Sequence, residues 1–406
     1  MSSRELFAAL RPYALPTLVV VLVVGSVSYS GVLEGVGAAR DIDARYFYIA
    51  ARCWITGRSP YNPVVYSATY YQVFGSIPPA GFVAYPPTLM LICLPLAAFS
   101  WPMAARVLTM MNFVAAMILF WACYRLVRGS SNSALTSKQW IWVCLAGTMG
   151  AIAGSISTGQ TSVFLSAALA LVLVGCRERR LWFTAIGSAV ATLKPQLSGP
   201  LLLLTLFFEP EQRRAIIVAG GIVTAACVYA ALIDAHFINN YLGSIRAYSQ
   251  LAANDPTKLI GLIPVLMHMG SDHATAQAIG LVSLIAALGT VTWQLSRAGL
   301  RLSDDAVGTM LTVFSSGIAM PIQGYDLCCY APGISLMSTQ ALPRQLWLLI
   351  PILLIWRPHI WERFVTLIPP NVVTGIAVAA IFFALLAIAL HRAAQPGIRI
   401  AQFGDR

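Results

Sequence analysis

The sequence predicts an all-α, polytopic membrane helix bundle. Three observations predict it: 58% of the 406 residues are hydrophobic, only 10% are charged, and the apolar residues fall in long unbroken runs. A soluble domain carries about 25% charged residues, and a chain of this length with so few charges could not cover a globular surface. Hydrocarbon is therefore the solvent for most of it. There a backbone satisfies its polar groups only as helices or closed barrels, and unbroken apolar runs, rather than alternating ones, select helices.

Taken in order, the clear spans are roughly 13–32, 104–124, 140–157, 161–176, 215–233, 274–296, 305–322, 327–341 and 372–391. Shorter or proline-interrupted candidates are 84–100, 181–193, 196–208, 259–270 and 345–356. At ~20 residues per crossing, this amounts to about 11–13 transmembrane helices. The short runs are candidates for broken or re-entrant helices, which occur where they line a protein cavity. Residues 13–32 are too long for a signal-peptide core and lack a small-residue cleavage site, so they read as a retained first span. The segment 84–100 leaves two topologies open: if it crosses fully, the basic clusters at 125–138 and 177–180 lie outside, and if it is re-entrant they lie inside. With no internal repeat, low-complexity tract or linker, residues 1–406 are expected to form a single domain.

The net charge of +11 is spread in small clusters between apolar runs: Arg4 and Arg11, Arg125 and Arg128, Arg177, Arg179 and Arg180, Arg213 and Arg214, Arg297 and Arg301, Arg392 and Arg399. That spacing is the positive-inside pattern and puts both termini in the cytoplasm. Nucleic-acid binding would need a contiguous basic patch on a soluble fold, which is lacking. Most of the eight cysteines lie within apolar runs, and none has zinc-ligand spacing.

Two loops are long, 33–83 and 234–258, and the first follows the first span onto the extracytoplasmic side. It carries a juxtamembrane helical stretch from Asp43 to Trp54 and a turn signal from Gly57 to Pro63. With only fifteen acidic residues, the candidates reduce quickly. Glu178, Glu209 and Glu211 sit in arginine-rich turns, and Asp304 and Asp305 precede a span, where a helix N-terminus favours an acid. Asp41 and Asp43 lie close behind the first span, either as functional acids or as N-caps. Lys194 lies between two short apolar runs and beside a Pro195 break. A lysine there marks a functional site or a snorkelling anchor. Gln160, in STGQTSVF, is polar between two spans, as a functional group or as a plain loop residue. Asp326, beside Tyr325 in PIQGYDLCC, is a cavity acid or a helix cap.

At these residues the chain resembles glycosyltransferase family 87, the polyprenol-phosphate-mannose-dependent α-1,2-mannosyltransferases of the GT-C class. The resemblance runs in order through Asp43, Phe47–Tyr48, Ala50–Ala51, Gly57, Pro60–Tyr61, Tyr85–Pro87, Gly159–Gln160, Lys194–Pro195 and the stretch from Pro321 to Asp326. In the late proline element, where family members often carry His, this chain has Gln323, a departure that bears on donor contacts. The resemblance implies a GT-C type bundle in the inner (plasma) membrane, with its site on the extracytoplasmic face. It implies an inverting transfer of a hexose, mannose above all, from a polyprenyl-phosphate sugar to a glycolipid or polysaccharide. Asp43 would be the general base, and Lys194, Arg45, Tyr48, Arg52, Tyr85, Gln160, Gln323, Tyr325 and Asp326 would contact donor or acceptor.

The chemistry suits those residue types. An acceptor hydroxyl needs a base, and a departing lipid phosphate needs a cation. With no nucleotide-sugar donor, neither a cofactor nor a metal is required. Asp41-Ile42-Asp43 has DxD spacing but no further ligand to complete a metal site. The competing readings are a transporter or lipid flippase, which an inverted repeat would favour, and an O-antigen ligase or polymerase, whose large loop tends to come late in the chain.

Overall fold

The computed structural model describes residues 42–129, 134–358 and 368–394. The first span expected at 13–32 and Asp41 lie outside the described residues. What is described is helical, apart from loops and one isolated antiparallel bridge between Ile260 and Ile322.

Five helices are long and apolar enough to cross a bilayer: Trp101–Arg128, Ser137–Thr158, Pro210–Ile233, His273–Ala298 and Pro370–Ala394. Five shorter apolar helices lie among them, at Pro87–Ala98, Leu181–Ala191, Pro195–Phe208, Ala306–Ala319 and Leu342–Trp356. Large apolar side chains stand out from the long helices, such as Met117 (71% exposed), Ile217 (68%) and Leu232 (79%). Apolar exposure on that scale marks a lipid-facing surface. The chain is an all-α polytopic membrane protein.

Several expected spans take a different form. Residues 140–157 break at Thr148–Met149 into helices Ser137–Gly147 and Gly150–Thr158. Residues 327–341 are a chain of 3₁₀ and α turns (Gly324–Tyr330, Ala331–Leu336, Met337–Thr339), and every residue from Asp326 to Ser338 is buried. Their apolarity serves packing inside the protein, which hydropathy cannot distinguish from exposure to lipid. The run 84–100 reduces to Pro87–Ala98, which at about 1.5 Å per residue reaches well short of a ~30 Å core. It folds back against the helix Ile42–Ile55: Tyr48 donates to the Phe99 carbonyl (2.8 Å), and Arg52 donates to that of Ala97 (3.3 Å).

The described basic clusters gather at one end of the bundle through ion pairs that link distant turns. Arg125 pairs with Glu178 (2.8 Å), Arg179 with Glu211 (3.1 Å) and Arg392 with Asp305 (3.6 Å). Glu209 accepts from the Ser303 amide beside the Arg301–Asp304 pair. The helices Ser162–Glu178 and Leu181–Ala191 form a close hairpin rising from this end. Gly187 makes the approach possible, because a Cβ there would meet the Ala168 carbonyl at 2.7 Å. The hairpin therefore delivers both Ser162 and Lys194 to the opposite end.

Candidate active site

At that opposite end six chain segments meet. The Gly159–Gln160 pair explains how two of them come together. Gly159 closes helix Gly150–Thr158 with a left-handed φ of 70°, a conformation glycine adopts freely. A Cβ on it would lie 2.6 Å from the Ala44 side chain, so glycine is also what lets the helix Ile42–Ile55 pack there. The contact sets Gln160, which is 2% exposed, beside Asp43 in the first turn of its helix.

Gln160 is fully engaged. Its amide donates to the Tyr325 hydroxyl (3.2 Å), its carbonyl accepts from the Tyr85 hydroxyl (2.7 Å) and the Thr161 amide (3.4 Å), and the side chain lies within electrostatic reach of the Asp43 carboxylate. An amide with both ends fixed is held in one orientation. Tyr85 is in turn held by Tyr61, whose hydroxyl donates to the Tyr85 carbonyl (2.9 Å), and by Phe47, edge-on at 5.1 Å. Burial pushes the Tyr85 and Tyr325 phenols up, so both remain protonated donors at neutral pH.

Lys194 occupies the residue before helix Pro195–Phe208, with Pro195 as the first helical residue. Its side chain turns inward rather than toward an interface and is nearly buried. Nζ lies 2.6 Å from Asp326 Oδ1 and donates to Ser162 Oγ at 2.9 Å; Ser162 donates to the same carboxylate oxygen at 2.5 Å. The rings of Tyr325 (5.0 Å) and Tyr85 (5.8 Å) flank the ammonium. The other oxygen, Asp326 Oδ2, accepts from the Gln323 amide (3.4 Å) and caps the 3₁₀ turn Gly324–Tyr330. Asp326 is thus both a helix cap and a partner for the buried charge.

Asp43 is the carboxylate of this cluster that has no ion-pair partner among the described residues. Burial pushes its pKa above the ordinary carboxylate value, against the lowering effects of the Gln160 side chain and the Lys194 charge.

The remaining expected site residues fall elsewhere. At roughly 100° per helical residue, Asp43 and Phe47 share one face of their helix, and Arg45, Tyr48 and Arg52 project from the other side. Tyr48 and Arg52 pack on the 97–101 segment, and the Arg45 guanidinium lies 5.0 Å over Phe74 and 5.8 Å over Trp101. All three therefore stand on the side of the helix away from Asp43. The Gln323 side chain turns outward to the 252–254 turn, donating to Asn254 Oδ1 (2.8 Å) and to the Ala253 carbonyl (3.1 Å). Two residues not singled out from the sequence join the cluster. One is Ser162. The other is Tyr248 of the second loop, which lies within electrostatic reach of Lys194, Asp326 and Asp43.

An apolar groove of about 450 Å³ runs between helices Trp101–Arg128, Ser162–Glu178 and Leu181–Ala191, toward the end of the bundle that holds the cluster but lined by none of its residues. Phe164 and Val190 line it, two residues beyond Ser162 and four before Lys194, and it extends along Val107 to Ile118, about 16 Å at the rise of an α-helix. Its lining includes the exposed Met110, Val114 and Ile186.

Comparison with known proteins bears on what this arrangement does. No curated protein and no solved structure matches the chain. The family model of glycosyltransferase family 87 matches residues 82–320, more than half of the chain. The matched stretch contains Tyr85, Gln160, Ser162, Lys194 and Tyr248; Asp326 lies six residues beyond its end and Asp43 lies 39 residues before its start. The chain belongs to glycosyltransferase family 87 and is a membrane glycosyltransferase.

Proposed function

We propose that the protein transfers a hexose, mannose in the first instance, from a polyprenyl-phosphate carrier to a hydroxyl of a glycolipid or polysaccharide. The observation that carries this reading is the buried Lys194–Asp326 ion pair with Asp43 within electrostatic reach of both, at the end of the bundle toward which an apolar groove runs. In the reaction, the acceptor oxygen attacks the anomeric carbon, and the bond from that carbon to the phosphate oxygen breaks with inversion. The acceptor proton passes to Asp43, beside Gln160. The departing lipid phosphate carries away the bonding electrons and gains charge next to Lys194. Of the three N–H groups of that ammonium, Asp326 and Ser162 accept two, which leaves one for a phosphate oxygen. The donor already holds an activated sugar, so the step needs no cofactor.

The groove supports a lipid-linked donor. A sugar nucleotide would have no use for an apolar channel flanked by side chains exposed to the bilayer, whereas a polyprenyl tail would fill it. Orientation follows from the basic clusters at the far end: by the positive-inside rule that end is cytoplasmic, so the site faces the extracytoplasmic side of the inner (plasma) membrane. Purified protein in lipid vesicles, supplied with polyprenyl-phosphate [¹⁴C]mannose and total membrane glycolipid, tests the reading. Label moving to a new glycolipid, with release of polyprenyl phosphate, supports it. Transfer from GDP-mannose but not from the lipid donor would refute it.

A further inference from the structure

The second loop contains the helix Phe237–Ser249, whose side chains divide into three sectors of about 120° each at helical periodicity. Phe237, Tyr241, Ser244 and Tyr248 form the first. Phe237 and Tyr241 pack on Tyr61 at 5.4 and 5.3 Å, Ser244 is buried, and Tyr248 is half-buried within electrostatic reach of Lys194 and Asp326. Ile238, Leu242 and Ile245, with Ser249 at the helix end, form the second, and the three apolar residues are 66%, 55% and 39% exposed. Asn239, Gly243, Arg246 and Gln250 form the third, which is polar and exposed. A surface helix of a soluble domain has two faces, one for protein and one for water. A third, apolar face calls for a third medium.

The neighbouring span identifies that medium. Val228 and Leu232, 51% and 79% exposed, are lipid-facing residues in the last turns of the helix Arg213–Ile233, and Ile238 follows Leu232 after only five intervening residues. The apolar stripe therefore continues the bilayer-facing surface of the span around a turn. A helix with one strongly apolar face, a polar face carrying arginine and low net hydrophobicity lies in the plane of a membrane interface. We propose that the helix Phe237–Ser249 is seated in the membrane interface, with Ile238, Leu242 and Ile245 in lipid, and that this seating holds Tyr248 in place at the candidate site. Tyr248 is then a positioning residue whose placement depends on the bilayer. The connection runs through the inner sector: Tyr241 and Phe237 press on Tyr61, Tyr61 holds the Tyr85 backbone, and Tyr85 holds Gln160.

The seating is testable without any assumption about the reaction; only the consequence for Tyr248 rests on the transfer reading. Single nitroxide labels at positions 238, 239, 242, 243, 245 and 246 are introduced with Cys144 and Cys227, the two native cysteines that are not buried, replaced by alanine. The proteins are reconstituted in phosphatidylethanolamine–phosphatidylglycerol vesicles. Collisions with oxygen should exceed those with a water-soluble nickel complex at 238, 242 and 245, and the order should reverse at 239, 243 and 246. Dominance of the nickel complex at all six positions would overturn the seating. Labels at 238, 242 and 245 that are shielded from both quenchers would also overturn it, by showing a protein partner on the stripe. In the transfer assay, Leu242→Asp should lower kcat by about fivefold or more, with Leu242→Met and the polar-face control Asn239→Asp near wild type. A Leu242→Asp variant that shows the wild-type pattern at 239 and 243 and full kcat would overturn the link to Tyr248. Absence of transfer by the wild type would leave the accessibility pattern as the test of seating and count against the transfer reading alone.

Discussion

Lys194 Nζ sits 2.6 Å from Asp326 Oδ1, joining residues 132 apart in the chain, and both side chains are only 8% exposed. The pair binds the start of helix Pro195–Phe208 to the 3₁₀ turn after the Pro321 element, with Ser162 bridging the two. It also divides the work between two carboxylates: Asp326 neutralises the buried lysine, and Asp43 is left as the acid available for proton transfer.

Breaking that pair from one side leaves an uncompensated buried charge. Lys194→Ala or Asp326→Ala should each cost about 3–5 kcal/mol of stability, whereas the double change Lys194→Met with Asp326→Leu should recover much of it. Thermal unfolding in detergent measures this. Transfer should not recover in the double variant, because the phosphate contact is gone. Lys194→Arg should retain a fraction of donor use, since a single charge contact tolerates a change of shape better than a loss of charge. A Michaelis constant for the lipid donor that is unchanged in the folded Lys194 variants would confine the residue to a structural role.

The pH profile should carry the mark of Asp43. Burial raises its pKa, so kcat/KM should fall on the acid side along a limb lying above the ordinary carboxylate range. The Gln160 side chain favours the ionised form, so removing its amide raises the pKa further. In Gln160→Leu the limb should therefore move to higher pH. A limb that stays fixed would separate Gln160 from the ionising group.

Tyr85→Phe removes the donor that fixes the Gln160 carbonyl. A neutral hydrogen bond contributes about 1 kcal/mol, so stability should fall by about that much, and kcat should drop by up to roughly fivefold if the bond also holds Gln160 in its working orientation. An unaffected kcat would show that Gln160 holds its orientation without Tyr85.

How much of this was legible in the sequence depends on the kind of signal each residue gives. Lys194, Gln160 and Asp326 announce themselves as polar groups in apolar surroundings, and their meeting is a matter of topology. Ser162 and Tyr248 carry no charge and break no pattern, so nothing in the sequence set them apart. Arg45, Tyr48 and Arg52 follow Asp43 closely in the chain, but helical periodicity turns all three to the other side of the helix, which a list of neighbouring polar residues does not convey. Likewise, the apolar run 327–341 reads as a span but is buried in protein, because its neighbours Ala306–Ala319 and Ser162–Glu178 supply the apolar surroundings that lipid would otherwise supply.

Tyr48 offers a check on that helical phase. Its hydroxyl donates to the Phe99 carbonyl, so Tyr48→Phe should lower stability by about 1 kcal/mol and leave the Michaelis constant for the donor unchanged. A raised Michaelis constant at unchanged stability would mean that Tyr48 reaches the donor.

The most direct measurement compares Asp43→Asn with wild type in vesicles, reading both binding of a polyprenyl-phosphate hexose and its transfer. With Asp43 as the general base, transfer should fall by about 10²–10⁴-fold while donor binding stays within a few-fold of wild type. Turnover near the wild-type rate in Asp43→Asn, with the variant folded and binding donor, would contradict the assignment of the base and with it the proposed mechanism.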